Sequence, residues 1–131
     1  MELIVRKYGG TSLDSIDKIK DIALKTKNDI KSNKKIVLVV SAMGKSTDEL
    51  LRKAELISKN PSNRELDLLM SSGEIISSSL MAIALEDIGV QSKSLTGFQA
   101  GIDTNSSFGH AEIQSINNTR IKEAINNNNT L

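Results

Sequence analysis

Cysteine and tryptophan are missing altogether from these 131 residues, and there is one proline and one histidine. No disulfide or thiolate metal site can form, and His110 alone is too little for a histidine-based one. Aromatics are almost as scarce. Tyr8, Phe98 and Phe108 offer no stacking platform for single-stranded nucleic acid. An excess of one charge is lacking too: 17 basic and 16 acidic side chains leave a net charge of +1 and are spread without blocks. That argues against a nucleic-acid or anionic-membrane surface as partner. No apolar run approaches the ~20 residues that span a bilayer, and a strand pattern starts at Glu2, where a signal peptide would otherwise stand. These absences point to the cytoplasm. What is present, 38% hydrophobic and 25% charged residues, suits one soluble globular domain with a real core.

The chain is organised around its first dozen residues. Leu3, Ile4 and Val5 open through Arg6 into Lys7, Tyr8, Gly9, Gly10, Thr11 and Ser12. A strand would thus deliver a cation into a glycine turn just before an amphipathic pattern begins. Unpartnered N–H groups in such a turn, and at a helix start, point at whatever anion sits there, and phosphate is the usual guest. Glycine lets the backbone come close, and Lys7 adds a point charge. The lysine precedes the glycines, so this is not the Walker pattern, and a solvent-exposed strand-end lysine before an ordinary turn would give the same string.

Leu13, Ile16, Ile19, Ile22, Ala23 and Ile30 then recur at helical spacing, which predicts a helix over 14–32 with Asn33 as its stop. Residues 36–40 form an unbroken apolar, mostly β-branched run, expected as a central parallel strand covered on both faces. The order so far is a right-handed strand–helix–strand crossover. Ser41 to Ser46 is a second small-residue loop at a strand's carboxyl end, the edge where open parallel sheets bind ligands. Ser46 to Glu49 has the form of a capping box, predicting a helix to about 58. Pro61 and Asn63 mark a break before a helical stretch over 64–87. Gly73 is expected to interrupt or bend that stretch, with Ser71 to Glu74 as a further capping box. A strand over 90–95, a loop over 96–101, a short strand over 111–116 and a last helix capped by Thr119 follow. Ile121, Ala124 and Ile125 are its inward residues, and residues 126–129 are a polar asparagine run. There is no internal repeat and no linker.

Several side chains have two readings. Thr47 and Asp48 are what a helix start requires for capping. Glu74 serves equally as the end of a capping box or as a carboxylate that receives a substrate ammonium group. Met43 reads as packing.

Four blocks taken together are more specific than any of these. Lys-Tyr-Gly-Gly-Thr-Ser at 7–12, Val-Val-Ser-Ala-Met-Gly-Lys-Ser-Thr-Asp at 39–48, Ser-Ser-Gly-Glu at 71–74 and Leu-Thr-Gly-Phe-Gln-Ala-Gly-Ile-Asp-Thr at 95–104 closely resemble the aspartate kinases, over essentially the whole chain. The resemblance implies the α/β fold of the amino acid kinase superfamily, a three-layer αβα sandwich around a mostly parallel sheet. It implies ATP- and Mg²⁺-dependent phosphorylation of the L-aspartate side chain to 4-phospho-L-aspartate, the first step toward lysine, threonine and methionine. By motif, Lys7 is the catalytic cation, and Lys7, Tyr8, Gly9, Gly10, Thr11 and Ser12 hold the ATP phosphates. Ser41 lies near the reaction centre, and Thr47 and Glu74 bind aspartate. No protein metal ligand is implied.

The resemblance also implies parts that this sequence does not contain. A Phe-x-Gly-Arg-Gly-Gly-Ser-Asp block, the nucleotide-base half and the regulatory ACT domains are not found, so residues 1–131 are expected to be the N-terminal part of one kinase domain, incomplete at its C-terminus. Such a piece should be inactive alone, and a sheet edge left open invites self-association into a homo-oligomer. Ser46 stands where relatives often have threonine, which keeps the hydroxyl. Two other readings stay open: a same-fold kinase for another carboxylate, carbamate or UMP, and a non-catalytic binding or assembly module that retains the phosphate turn.

Overall fold

The computed structural model describes residues 2–131. It opens with the expected crossover: β1 (Glu2–Tyr8) and β2 (Lys34–Val40) pair in parallel, from Glu2 against Lys34 to Tyr8 against Val40, joined by α1 (Ile16–Lys31). A short 3-10 helix (Gly10–Leu13) turns the chain from β1 toward α1. Ser15 caps α1, its hydroxyl accepting the Lys18 N–H at 3.2 Å. Asn33 follows it at φ 62°, a left-handed conformation that asparagine tolerates better than most residues.

The core forms where α1 meets α3 (Asn63–Asp87). Leu13, Ile19, Ile22 and Ala23 pack with Met81, Leu85 and Val90, and Tyr8, Leu38 and Val40 close over them from the sheet. Each large side chain buried there contributes roughly 1.5–3 kcal/mol. α2 (Ser46–Ile57) lies against α3 rather than the sheet, and none of its residues is fully buried.

Strand register sorts the sheet into two faces, because successive side chains alternate. Ile4, Arg6 and Tyr8 share the helical face with Ile36, Leu38 and Val40; Leu3, Val5 and Lys7 share the other with Lys35, Val37 and Val39. On that second face α4 (Thr119–Asn126) reaches only one end, where Lys35 Nζ donates to the Ile125 carbonyl at 2.8 Å. Leu3, Val5 and Val39 remain 53%, 63% and 45% exposed. The expectation of a strand covered on both faces is therefore met on one.

α3 corrects three further expectations. It runs 25 residues without a break, and Ser71 and Ser72 donate back to the Leu68 and Leu69 carbonyls instead of capping a new helix. Its cap is Ser62, whose hydroxyl accepts the Glu65 N–H at 3.4 Å. It is also long and apolar enough to cross a membrane by length and composition, with a mean hydropathy of 1.6 over 18 residues. The serines that dilute its apolar pattern by eye weigh little in that average. Gly73, Ser77, Met81 and Leu85 are buried along one stripe that packs into the protein. The capping box at Ser46 does not form either: Lys45 takes the cap position and the Ser46 hydroxyl donates to the Met43 carbonyl at 2.6 Å.

Residues 90–95 make no regular strand of their own; Ser92 forms a single parallel bridge with Thr130. β3 (Ile102–Thr104) and β4 (Ile113–Ile116) form a separate antiparallel pair that is exposed throughout. The asparagine run is ordered turn chemistry. Asn128 sits at φ 59°, the Asn129 N–H returns to the Ala124 carbonyl at 3.0 Å, and the chain re-enters the sheet at Thr130 and Leu131.

Candidate active site at the carboxyl edge of the sheet

Because β1 and β2 are parallel, both release their loops at the same edge. The Ser41 N–H donates to the Tyr8 carbonyl at 3.1 Å and the Gly44 N–H to the Gly10 carbonyl at 2.9 Å, so the two loops are tied side by side. Gly10 is required by that approach: a Cβ there would lie 2.9 Å from the Ala42 carbonyl oxygen and 3.1 Å from that of Gly44. Beneath the turn, Lys18 donates to the Thr11 carbonyl and pairs with Asp14, both at 2.9 Å. Sequence reading missed this second cation, although its i,i+4 spacing from Asp14 was the available signal.

Ala42, buried between the loops and α3, joins the third element. A Cβ on Gly73 would lie 2.9 Å from the Ala42 Cβ, so Gly73 marks a close helix-to-loop contact and not a helix break. That contact brings Glu74 to the same edge. Glu74 is exposed and, with Ser71 and Ser78, borders a cavity of about 760 Å³ between α3, β2 and the loop over 94–98. Lys7, Tyr8, Gly9, Gly10, Thr11, Ser12 and Ser41 are thus brought together by the paired loops, and Gly73, the residue before Glu74, meets the second loop at Ala42; none of the turn residues lines the cavity that Glu74 borders. Thr47, half-buried in the first turn of α2, does not line that cavity; its neighbour Ser46 lines a smaller one of about 180 Å³ with Met43 and Gly73.

Alternation along β1 gives its two cations different work. Arg6 points to the helical face and is hydrogen-bonded to Asp29 of α1. That hydrogen bond, with the positive charges of Arg6, Lys34 and Lys25, holds the Asp29 carboxyl below the usual carboxylate range, and it raises Arg6 further. Lys7 points to the open face, exposed and without an ion-pair partner among the described residues. A free ammonium beside glycine amides suits an anion. Among the described residues there is no group of three or more His, Asp or Glu side chains that could hold a metal ion.

The amino acid kinase family matches the chain over residues 2–131. The chain belongs to that family. Among curated proteins this amino acid kinase chain is 46% identical over 125 residues to the aspartokinase of Geobacillus stearothermophilus, covering 95% of the chain and 31% of the relative. It is 46% identical over 126 residues to the aspartokinase of Helicobacter pylori strain J99, covering 96% and 31%. The crystal structure of aspartate kinase from Synechocystis superposes with a TM-score of 0.83 at 37% identity, covering 98% of the chain and 21% of that protein. The α/β fold with its parallel sheet is therefore that of the amino acid kinases. The chain spans about a third of the length of the curated relatives it matches.

Proposed function

We propose that this chain supplies the phosphate-holding part of an ATP-dependent kinase acting on the side-chain carboxylate of L-aspartate. The observation that carries the reading is that Gly10 of the lysine–glycine turn and Gly73, the residue before Glu74, both pack against Ala42, in a chain whose relatives are named aspartokinases. A carboxylate nucleophile is ionised near neutral pH, so the reaction needs no general base and no role falls to the exposed His110. One carboxylate oxygen would attack the γ-phosphorus while the bond to the bridging oxygen breaks and ADP leaves, giving 4-phospho-L-aspartate. This would be the first step toward lysine, threonine and methionine.

Two anions must approach, and catalysis of this kind is positioning and charge stabilisation. Lys7 and the amides of Gly9, Gly10, Thr11 and Ser12 would offset the phosphate charge, with Tyr8 fixing the strand end and Ser41 close to the transferring group. Mg²⁺ would supply further charge neutralisation, carried on the nucleotide. Glu74 would repel phosphate, so its partner is the substrate ammonium, which orients the carboxylate for in-line attack. Thr47 is the second aspartate contact in this reading. The chain would be the N-terminal part of one cytoplasmic kinase domain, homo-oligomeric in the longer polypeptide and without turnover alone.

The test is steady-state kinetics on a full-length polypeptide carrying this segment. Glu74→Gln should raise the KM for aspartate at least about tenfold and leave that for ATP unmoved, the signature of a lost ammonium contact. Lys7→Ala should lower kcat by about 10²–10³, the scale of losing one charge-stabilising donor. An unchanged aspartate KM in Glu74→Gln, or a change in the ATP KM alone, overturns the assignment.

A further inference from the structure

Lys18 stands where helix physics disfavours it. It is the third residue of α1, and a cation in a first turn opposes the helix dipole. Capping does not require its side chain, because its own N–H is already taken by the Ser15 hydroxyl at 3.2 Å. The ammonium instead turns back along the chain, donating to the Thr11 carbonyl at 2.9 Å and pairing with the Asp14 carboxylate at 2.9 Å. Both side chains of that pair are about half exposed, 50% and 43%, so it adds little to stability. Its work is the placing of Thr11.

A peptide unit is planar, so holding the Thr11 carbonyl also fixes the Ser12 N–H on the same plane. That N–H donates to the Gly9 carbonyl at 3.1 Å and closes the glycine turn. A cation on the carbonyl polarises the unit and strengthens the bond on its other side. The N–H groups of Gly10 and Thr11, at the start of the 3-10 helix, have no partner among the described residues. Asp14 reaches the second loop as well. A Cβ on Gly44, which sits at φ 50°, would lie 3.3 Å from the Asp14 Cβ, and the Gly44 N–H donates to the Gly10 carbonyl at 2.9 Å. Lys18 and Asp14 thus brace the two loops from one side, at Thr11 and at Gly44.

We propose that Lys18, oriented by Asp14, is a positioning residue for the nucleotide phosphates: it holds the Thr11 peptide so that the free N–H groups of the turn and the Lys7 ammonium stay aimed at one anion. The two lysines divide the work. Lys7 has no ion-pair partner among the described residues and is open to a ligand, whereas Lys18 is occupied by two oxygens of the protein. The inference rests on the reading of this turn as the phosphate holder and not on the identity of the phosphoryl acceptor.

The test is calorimetric titration of Mg·ATP into a full-length polypeptide carrying this segment, alongside aspartate kinetics. Lys18→Met keeps the aliphatic stem and removes the donor; it should weaken Mg·ATP binding at least about fivefold, the scale of one lost hydrogen bond, with the aspartate KM unmoved. Its thermal midpoint without nucleotide should stay within about 2 °C. Lys18→Arg should restore binding to within about twofold, since it keeps both charge and donors. Asp14→Asn separates positioning from charge. Removing an anion near phosphate should tighten binding if charge alone matters, and should weaken it if Asp14 orients Lys18. The double variant should then be no weaker than Lys18→Met, because Asp14 acts through Lys18. Unchanged Mg·ATP affinity in Lys18→Met, no rescue by arginine, tighter binding in Asp14→Asn, or a weakening that appears only with a large fall in thermal midpoint would each overturn the proposal. Mg·ATP binding without aspartate-dependent turnover in the unsubstituted polypeptide would remove the aspartate reading and leave this one standing; no Mg·ATP binding at all would remove both.

Discussion

The two faces of the β1–β2 pair carry similar apolar side chains, yet one is the floor of the core and the other is largely bare. On the first, Ile36 is 2% exposed and Tyr8, Leu38 and Val40 pack against the core of α1 and α3; on the second, Val5 is 63% exposed at the neighbouring strand. Composition does not separate them, since both are aliphatic and β-branched. The difference is the supply of helices: α1 and α3 both cross the first face, and α4 alone touches the second, at Lys35. Burial is thus a property of which helices cross a face and not of the composition of the face alone.

The largest effect should come from the closed face. Leu85 is 2% exposed and meets both α1 and the sheet-side cluster. Leu85→Ala should cost about 2–5 kcal/mol in urea unfolding, the transfer loss plus an unfilled cavity. A cost below about 1 kcal/mol would mean that the two faces differ less than their exposure indicates.

Next is the seam that ties that face to the candidate site. Gly73→Ala places a methyl 2.9 Å from the Ala42 Cβ, where neither backbone can yield without moving the second loop. The expected cost is about 1–3 kcal/mol despite the better helix propensity of alanine. Stabilisation instead would show that the seam is loose and that Glu74 is held by something else.

Which of these features were legible in the sequence follows from their range. The crossover, the Asn33 stop and the helical stripe of α1 depend on local spacing and were readable. The glycine turn with Lys7 was readable because cation, glycines and hydroxyls are contiguous. Gly73 was misread because a helix break and a close packing contact use the same residue, and only the position of Ala42, 31 positions away in the chain, distinguishes them. Ser46 and Ser71 were misread because a serine before a carboxylate also occurs inside helices, where the hydroxyl returns to a preceding carbonyl. The asparagine run reads in sequence only as a polar low-complexity stretch, because its turn is completed by Ala124 and by pairing with residues of two distant segments.

A smaller effect separates the faces by pH. Asp29, held low by the Arg6 hydrogen bond on the closed face, contributes stability that is present above the ordinary carboxylate pKa and is lost as pH falls through its lower folded value. Asp29→Asn should therefore lower stability at neutral pH and flatten the acid limb of a stability–pH profile, with the two proteins converging in strong acid. Parallel profiles for the two proteins would show that the Arg6 contact gives no linkage.

The smallest effect is expected on the open face, and it is the most telling. Val5→Ser changes a side chain that is mostly in water already, so the chain of 131 residues should shift by no more than about 0.5 kcal/mol. The same substitution in a longer polypeptide should cost at least about 1 kcal/mol if that face is covered there, because the lost transfer energy then applies in full. Two urea curves per background measure the pair. Equal, near-zero shifts in both would mean that Leu3, Val5 and Val39 are a true surface and that the asymmetry belongs to the fold itself; a cost confined to the longer protein would mean that the open face is an interface awaiting its cover.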